Sequence, residues 1–432
     1  MYKCISLLLV AGWLSPLFCN AQTQDEASIK AQLRKDIAAL TDTAMHGRGY
    51  VKGGKDSASA YLQRRFAEIG LKTVARKKTY TQPYSFSVNT FPGKMELIIN
   101  GTSLTAGKDF IIDAGSPTYM RDNLALKTVD MAKIPNNEAW EKMLENSFKD
   151  RNAVYYLKNF DQGQKILDIR KYALAGQLPR GCYIIPEKEK LTWDVAQDNN
   201  DAVVFYVKES AMTADSGSVS IHDQAQLLSD VQSENIVGYV PGTFADSFVA
   251  ITAHYDHLGM MGDSAMFPGA SDNASGTAMM LYLAGYFAAH PQRYSILFIA
   301  FSGEEPGLMG SKYYVKNPIV MLKRMKFLTN IDIMGDATDG VTVVNATEYP
   351  DQFALLQKVN NDNRYIPQVK SRGKAANSDH YFFSEAGVPS FFIYSNGGKG
   401  YYHDVFDKGN ELSLEHVDGV AHMVIDFIEQ LR

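Results

Sequence analysis

A small set of residues in the second half of the chain has the side-chain types that hold transition-metal ions and move protons. They are His254, Asp272, the adjacent Glu304 and Glu305, Asp332 and His403, with Asp256 two residues after the first histidine. Imidazole and carboxylate together suit zinc, with cobalt or manganese as possible substitutes, and not calcium, which takes oxygen ligands alone. Two histidines with three carboxylates exceed one closed tetrahedral site. They fit two ions about 3.5 Å apart that share a carboxylate and leave positions open for water. Neighbouring glutamate side chains point in different directions, so one can coordinate while the other faces the water as general base. A ligand histidine gives its second ring N–H to a carboxylate or carbonyl, and Asp256 is placed to receive that of His254.

These residues need a frame that brings them together. From about Asn235 onward, apolar runs alternate with helical patterns: strands at Phe248–His254, Ser295–Phe301, Phe327–Asp332, Val341–Asn345 and Pro389–Tyr394, and helices at Gly276–His290, Asp351–Asn361 and Leu414–Leu431. Such near-continuous apolar strands predict an α/β fold with a mostly parallel central sheet and helices on both faces. In open α/β sheets ligands gather beyond the carboxyl ends of the strands, where the candidate residues fall. Nearer the N-terminus, Ile29, Leu33, Ile37 and Leu40 lie at helical spacing, and a second helix is expected over Ala58–Ile69, closed by Gly70. Met45–Gly49 between them is a glycine-rich turn, in which His46 reads as structural. The middle stretch carries short β-rich runs (Met95–Ile99, Ala153–Leu157, Cys182–Ile185, Ala202–Val207) and one helical segment, Ile166–Ala175, with no metal-like spacing. The expected organisation is therefore a leader at 1–21, an N-terminal helical part of the main domain at 22–76, an inserted, mainly β accessory domain at 77–233 and the core at 234–432.

The leader is inferred from Lys3, the apolar run Ile5–Phe18 and the small residue in Cys19-Asn20-Ala21, which together resemble an export signal that would leave a mature chain starting near Gln22. The run is too short to span a bilayer as a helix, so no stable membrane insertion is expected, and bulky Phe18 argues against lipid attachment at Cys19. The expected location is periplasmic or secreted. Without the leader one cysteine remains, Cys182, whose apolar flank predicts a buried, inert thiol. Hydrophobic residues at 45% and charged residues at 21% of 432 fit a globular protein, and a net charge of −5 without a long basic run excludes a nucleic-acid partner.

The segments AHYDHLG (Ala253–Gly259), GASDNASG (Gly269–Gly276), FSGEEPGLMGS (Phe301–Ser311), NIDIMG (Asn330–Gly335), SDHYFFSEAGVPS (Ser378–Ser390) and YYHDVFD (Tyr401–Asp407) resemble metallopeptidase family 28, and HGRG (His46–Gly49) is similar to its N-terminal entry. The middle stretch is only faintly like the protease-associated insert of some members. The family includes secreted di-zinc aminopeptidases, glutamate carboxypeptidases and glutaminyl cyclases. The resemblance implies one zinc on His254, Asp272 and Asp332 and another on Asp272, Glu305 and His403, with Asp272 bridging. It implies Glu304 as general base and later proton donor to the leaving amine, and Tyr402 as an aid to the oxyanion, with Tyr401 an equal candidate. The implied activity is removal of N-terminal residues from peptides with a free N-terminus. Glutaminyl cyclisation is the alternative, as is a carboxypeptidase using Arg372 and Lys374 to hold a substrate carboxylate, and a non-catalytic binding module is a further one. His257 is expected to support its loop, His380 to shape the site wall, and His290, His416 and His422 to lie away from the strand ends.

Overall fold

The computed structural model describes residues 16–74, 77–133, 142, 150, 152–160, 178 and 180–431, with the backbone alone at 16–25. Most of the expected leader, including Lys3, and all of the helical segment Ile166–Ala175 lie outside the described residues.

Helix α1 (Pro16–Leu40) buries Ile29, Leu33, Ile37 and Leu40, the row that helical spacing places on one face. Helix α2 (Gly54–Ile69) buries Ala58, Leu62 and Phe66 and ends at Gly70, whose φ of 86° lets its N–H reach the Phe66 and Ala67 carbonyls. The turn between the helices lies against the segment after residue 257. A Cβ at Gly47 would stand 2.3 Å from the Phe267 carbonyl oxygen, and one at Gly49 2.3 Å from the Gly259 Cα, so only glycine permits the approach.

After β1 (Lys72–Thr73), strand β2 (Thr81–Thr90) leads away from the core. An eight-stranded sheet follows, made of β3 (Met95–Ile99), β4 (Thr102–Ser103), β5 (Phe110–Ile112), β6 (Tyr119–Asp130), β7 (Ala153–Lys158), β8 (Cys182–Glu187), β9 (Val203–Lys208) and β10 (Ser216–Asp223). Its order is β4-β3-β10-β6-β7-β8-β9-β5, with β6 to β9 parallel. Strands β7, β8 and β9 are buried at all but their last residue, as apolar runs covered on both faces should be. Cys182 is buried there, and burial pushes its thiol well above the ordinary range. Strand β11 (Gln226–Val240) returns beside β2 as a long antiparallel neck and then continues into the second sheet.

That second sheet has nine strands. Its further members are β12 (Phe244–His254), β15 (Tyr294–Phe301), β16 (Met325–Asp332), β17 (Val341–Val344), β18 (Val369–Ser371) and β19 (Ser390–Ser395), while β13 (Gly259–Met261) and β14 (Ala265–Phe267) form a separate pair. The order is β1-β11-β15-β12-β16-β19-β17-β18, with β2 on β11. Strands β15, β12, β16 and β19 are mutually parallel, and β11 and β17 flank them antiparallel. The link Ile333–Gly340 is too short for a parallel crossover, so β17 runs back instead. Helices α3 (Gly276–Ala289), α5 (Pro350–Asn363) and α7 (Val417–Gln430) join α1 and α2 in one core on one face. Helices α4 (Met309–Lys316) and α6 (His380–Glu385) cover the other through Tyr314 and Phe383.

Candidate metal centre

His254 is the last residue of β12 and pairs in register with Phe301, the last of β15, so the loop carrying Glu304 and Glu305 starts at the same edge. Asp332 closes β16 beside them. His254 Nε2 lies 3.2 Å from Asp272 Oδ1 and 3.4 Å from Asp332 Oδ2. His403 Nε2 lies 3.1 Å from Asp272 Oδ2 and 3.1 Å from Glu305 Oε2. Asp272 thus turns one oxygen to each imidazole, and the sheet edge brings all five candidate ligands together. Carboxylate oxygens of Glu304 and Asp332 and a ring nitrogen of His254 also lie within 4.8 Å of one another.

Each member is held by a second contact. The Asp407 carboxylate accepts the N–H groups of Ser271 (2.8 Å) and Asp272 (3.1 Å). Asp332 accepts a hydrogen bond from Ser378 Oγ (3.1 Å), which accepts one from Asn330, whose amide oxygen accepts one from Thr252. His403 Nδ1 lies 2.7 Å from the Trp193 carbonyl oxygen, an acceptor contributed by the accessory segment. His254 Nδ1 does meet Asp256, but at its carbonyl oxygen (3.1 Å), with the nearer carboxylate oxygen at 3.9 Å. The Asp256 carboxylate serves elsewhere: it accepts the Tyr50 hydroxyl (2.6 Å) and the Glu304 backbone N–H (3.2 Å), and so steadies the glutamate loop.

Two residues gain roles that the sequence reading did not give them. His257 Nδ1 lies 2.6 Å from Glu305 Oε1, so it orients that carboxylate as well as its own loop. Arg48, fully buried, spends all five N–H donors on carbonyl oxygens: Tyr255 (2.9 Å), Leu40 (2.9 Å), Pro268 (2.7 Å), Gly269 (2.7 Å) and Asp272 (3.4 Å). It ties the His254 and Asp272 loops to the end of α1. Burial lowers its pKa to about 10, against the pull of Asp272 and Asp407, so it stays charged at neutral pH.

The electrostatics match a cation site. Burial opposes protonation of His254, yet Asp332, Glu304 and Asp272 raise its pKa well above the usual value, and Glu305 and Asp272 do the same for His403. Burial works against ionisation of Glu305, but His403 and His257 hold its carboxyl down at about 2. Burial, with Glu305, Asp379 and Asp332 nearby, pushes Glu304 well above the carboxylate range despite His254. Nε2 of His254 and His403, Asp272 Oδ1 and Asp332 Oδ1 are buried without a hydrogen-bond partner. Buried polar atoms are normally satisfied, so a converging set of orphans from two imidazoles and two carboxylates fits divalent zinc.

Tyr402 stacks on the His403 ring, with centroids 3.8 Å apart, and Tyr401 packs on Phe406. His380 is buried against Phe392 without forming part of the cluster. His290, just after α3, stacks on Tyr286, His422 in α7 stacks on Tyr365, and His416 immediately precedes α7.

The site thus consists of paired histidines and carboxylates at the carboxyl edge of a parallel-centred sheet covered by helices on both faces. Residues 235–428 match the model described as Peptidase family M28. The chain is similar to Aminopeptidase YwaD of Bacillus subtilis, 31% identical over 208 residues that cover 44% of this chain and 43% of the relative. Leucine aminopeptidase 1 of Trichoderma harzianum is 26% identical over 215 residues, 46% of this chain and 54% of that one. The alignments thus span about half the length of these curated relatives. Among solved structures, a zinc aminopeptidase from Bacillus subtilis, BSAP, superimposes with a TM-score of 0.65 at 19% identity, covering 92% of this chain and 93% of that one. An aminopeptidase from Aneurinibacillus sp. strain AM-1 gives 0.62 at 19% identity, covering 93% of both chains. These are likenesses of fold.

Proposed function

We propose that the protein is a zinc-dependent aminopeptidase that hydrolyses N-terminal residues from peptides. The observation that carries this is Asp272 lying between His254 and His403, one oxygen toward each, with Glu304 beside them. His254, Asp272 and Asp332 would hold one zinc, and Asp272, Glu305 and His403 the other. Zinc bound there would supply Lewis acidity and would acidify a water toward neutral pH. Glu304 accepts the proton of the attacking water at its carboxylate and returns it to the leaving amine. Asp256 fixes the Glu304 backbone during this exchange. Tyr402, stacked on His403, is assigned to oxyanion stabilisation within the same reading. Export, with 1–21 as a removable leader, belongs to it too. Among the described residues no helix is long and apolar enough to cross a membrane.

The carboxypeptidase alternative draws less support, because Lys374 is paired with Glu385, and Arg372 reaches the Tyr394 hydroxyl at 3.2 Å. Incubating zinc-loaded protein with a mixed peptide library and reading the products by mass spectrometry tests the proposal. Stepwise loss from the N-terminus, abolished by a chelator, is expected. A loss of about 17 mass units from N-terminal glutamine, or C-terminal trimming, would overturn it.

A further inference from the structure

Glu304 is aimed through its backbone. Among the described residues no side chain donates to its carboxylate, so the direction of that carboxylate is set by how the main chain is held. Its carbonyl oxygen accepts the N–H groups of Gly307 (2.9 Å) and Leu308 (2.8 Å), which closes the loop on itself. Its own N–H is held from outside the loop, by Asp256 Oδ1 at 3.2 Å. Asp256 is fully buried, and its other carboxylate oxygen accepts the Tyr50 hydroxyl at 2.6 Å.

Tyr50 reaches the same loop by a second route. Its ring stands edge-on to that of Phe86, with centroids 5.6 Å apart and the planes at 86°. Phe86, buried in β2, lies in turn against Gly303, the residue before Glu304: a Cβ there would stand 3.0 Å from Phe86 Cε1 and 3.0 Å from Met309 Cβ. Gly303 has a φ of 66°, so the chain turns into Glu304 at the point that the Phe86 ring covers. Tyr50 has its own anchorage, since the Gly49 carbonyl before it accepts the Lys55 N–H (2.9 Å) at the start of α2.

We infer that Tyr50 is a positioning residue for the proposed general base, clamping the Glu304 loop with its hydroxyl through Asp256 and with its ring through Phe86. The inference rests on the aminopeptidase reading, in which Glu304 handles the proton. A hydroxyl given to a buried carboxylate makes a stronger hydrogen bond than one between neutral groups. Without it Asp256 Oδ2 has no donor, the carboxylate can turn, and the Glu304 N–H loses a fixed acceptor. Both halves of the clamp come from segments before Asn235, which carry none of the five candidate ligands.

The test is a double-mutant cycle on zinc-loaded protein with Tyr50→Phe, Glu304→Gln and the two combined. It is read by steady-state hydrolysis of an aminoacyl nitroanilide, alongside zinc content and urea unfolding. Tyr50→Phe should lower kcat about 10- to 100-fold, the range that a misplacement of about 1 Å can cost, with KM and zinc content unchanged. In the Glu304→Gln background the same change should cost less than about 2-fold, because no base remains to be misplaced. Unchanged kcat in Tyr50→Phe overturns the inference. So does an equal loss with and without Glu304, which would mark a general effect on the fold, and so does loss of zinc, which would make Tyr50 a support of the metal loops. Should Tyr50→Phe not fold, Phe86→Leu, which leaves the hydroxyl in place, enters the same cycle with the same criteria. If wild type does not trim N-termini, the aminopeptidase reading falls and this inference with it, whereas an active wild type matched by Tyr50→Phe removes the inference alone.

Discussion

Replacing Arg48 probes how the loops of the metal centre are held. Its guanidinium makes four hydrogen bonds of 2.9 Å or less, to the carbonyls of Tyr255, Leu40, Pro268 and Gly269. Gly269 keeps a second donor in the Ala274 N–H, so Arg48→Met takes the short donor from three other buried carbonyls. At about 1–3 kcal/mol for each buried acceptor left without its donor, and with some relief from entering water, the loss should be about 4–6 kcal/mol. Arg48→Lys keeps the charge but offers three donors in place of five, and should cost about 2–3 kcal/mol. Urea unfolding of the three metal-free proteins measures this order, and competition with a chromogenic chelator measures zinc affinity. Because Arg48 fastens both the loop after His254 and the turn before Asp272, affinity should fall in the same sequence. Arg48→Met within about 1 kcal/mol of wild type would refute the assignment of Arg48 as the tie between these loops.

Glu304→Gln should retain full zinc content and lose about two or more orders of magnitude in peptide hydrolysis; retained turnover at full metal loading would remove it as general base. His257→Ala frees the Glu305 carboxylate and should weaken zinc binding about 10- to 100-fold, read by chelator competition, with an unchanged Kd counting against its orienting role. The metal-free site holds protons on His254 and His403, whose pKa values are raised. These pairs contribute stability that is complete below the unfolded histidine pKa near 6.5 and is lost as pH rises through the raised values. Zinc competes with the same protons, so its stabilisation of the fold, measured as the shift in unfolding midpoint on zinc addition, should grow with pH.

The strand-end residues were legible because parallel strands buried on both faces read as unbroken apolar runs, which makes a His or Asp at their carboxyl end conspicuous. Val341–Val344 was recognisable as a strand for the same reason, but its antiparallel direction was not, since an apolar run has no orientation. The role of Asp256 turned on which of its oxygens faces His254, a matter of side-chain torsion that spacing does not report. Arg48 sat unremarked in HGRG; the available signal was a cation between two glycines in a turn otherwise short of polar partners. Trp193 was beyond reach, because its place beside His403 follows from how one sheet folds back on the other.

The hydrogen bond from His403 Nδ1 to the Trp193 carbonyl also limits how freely the chain could be rebuilt. With Nδ1 committed as donor, Nε2 is the nitrogen turned toward Asp272 and Glu305, so the segment carrying Trp193 fixes the ring of a residue in another part of the fold. The two parts are therefore not interchangeable modules. Added residues can be absorbed at the outer turn Asn100–Gly101, whereas excising the sheet at its neck would leave the last ligand of the core without a fixed ring, and a shortened descendant would need a new acceptor for it.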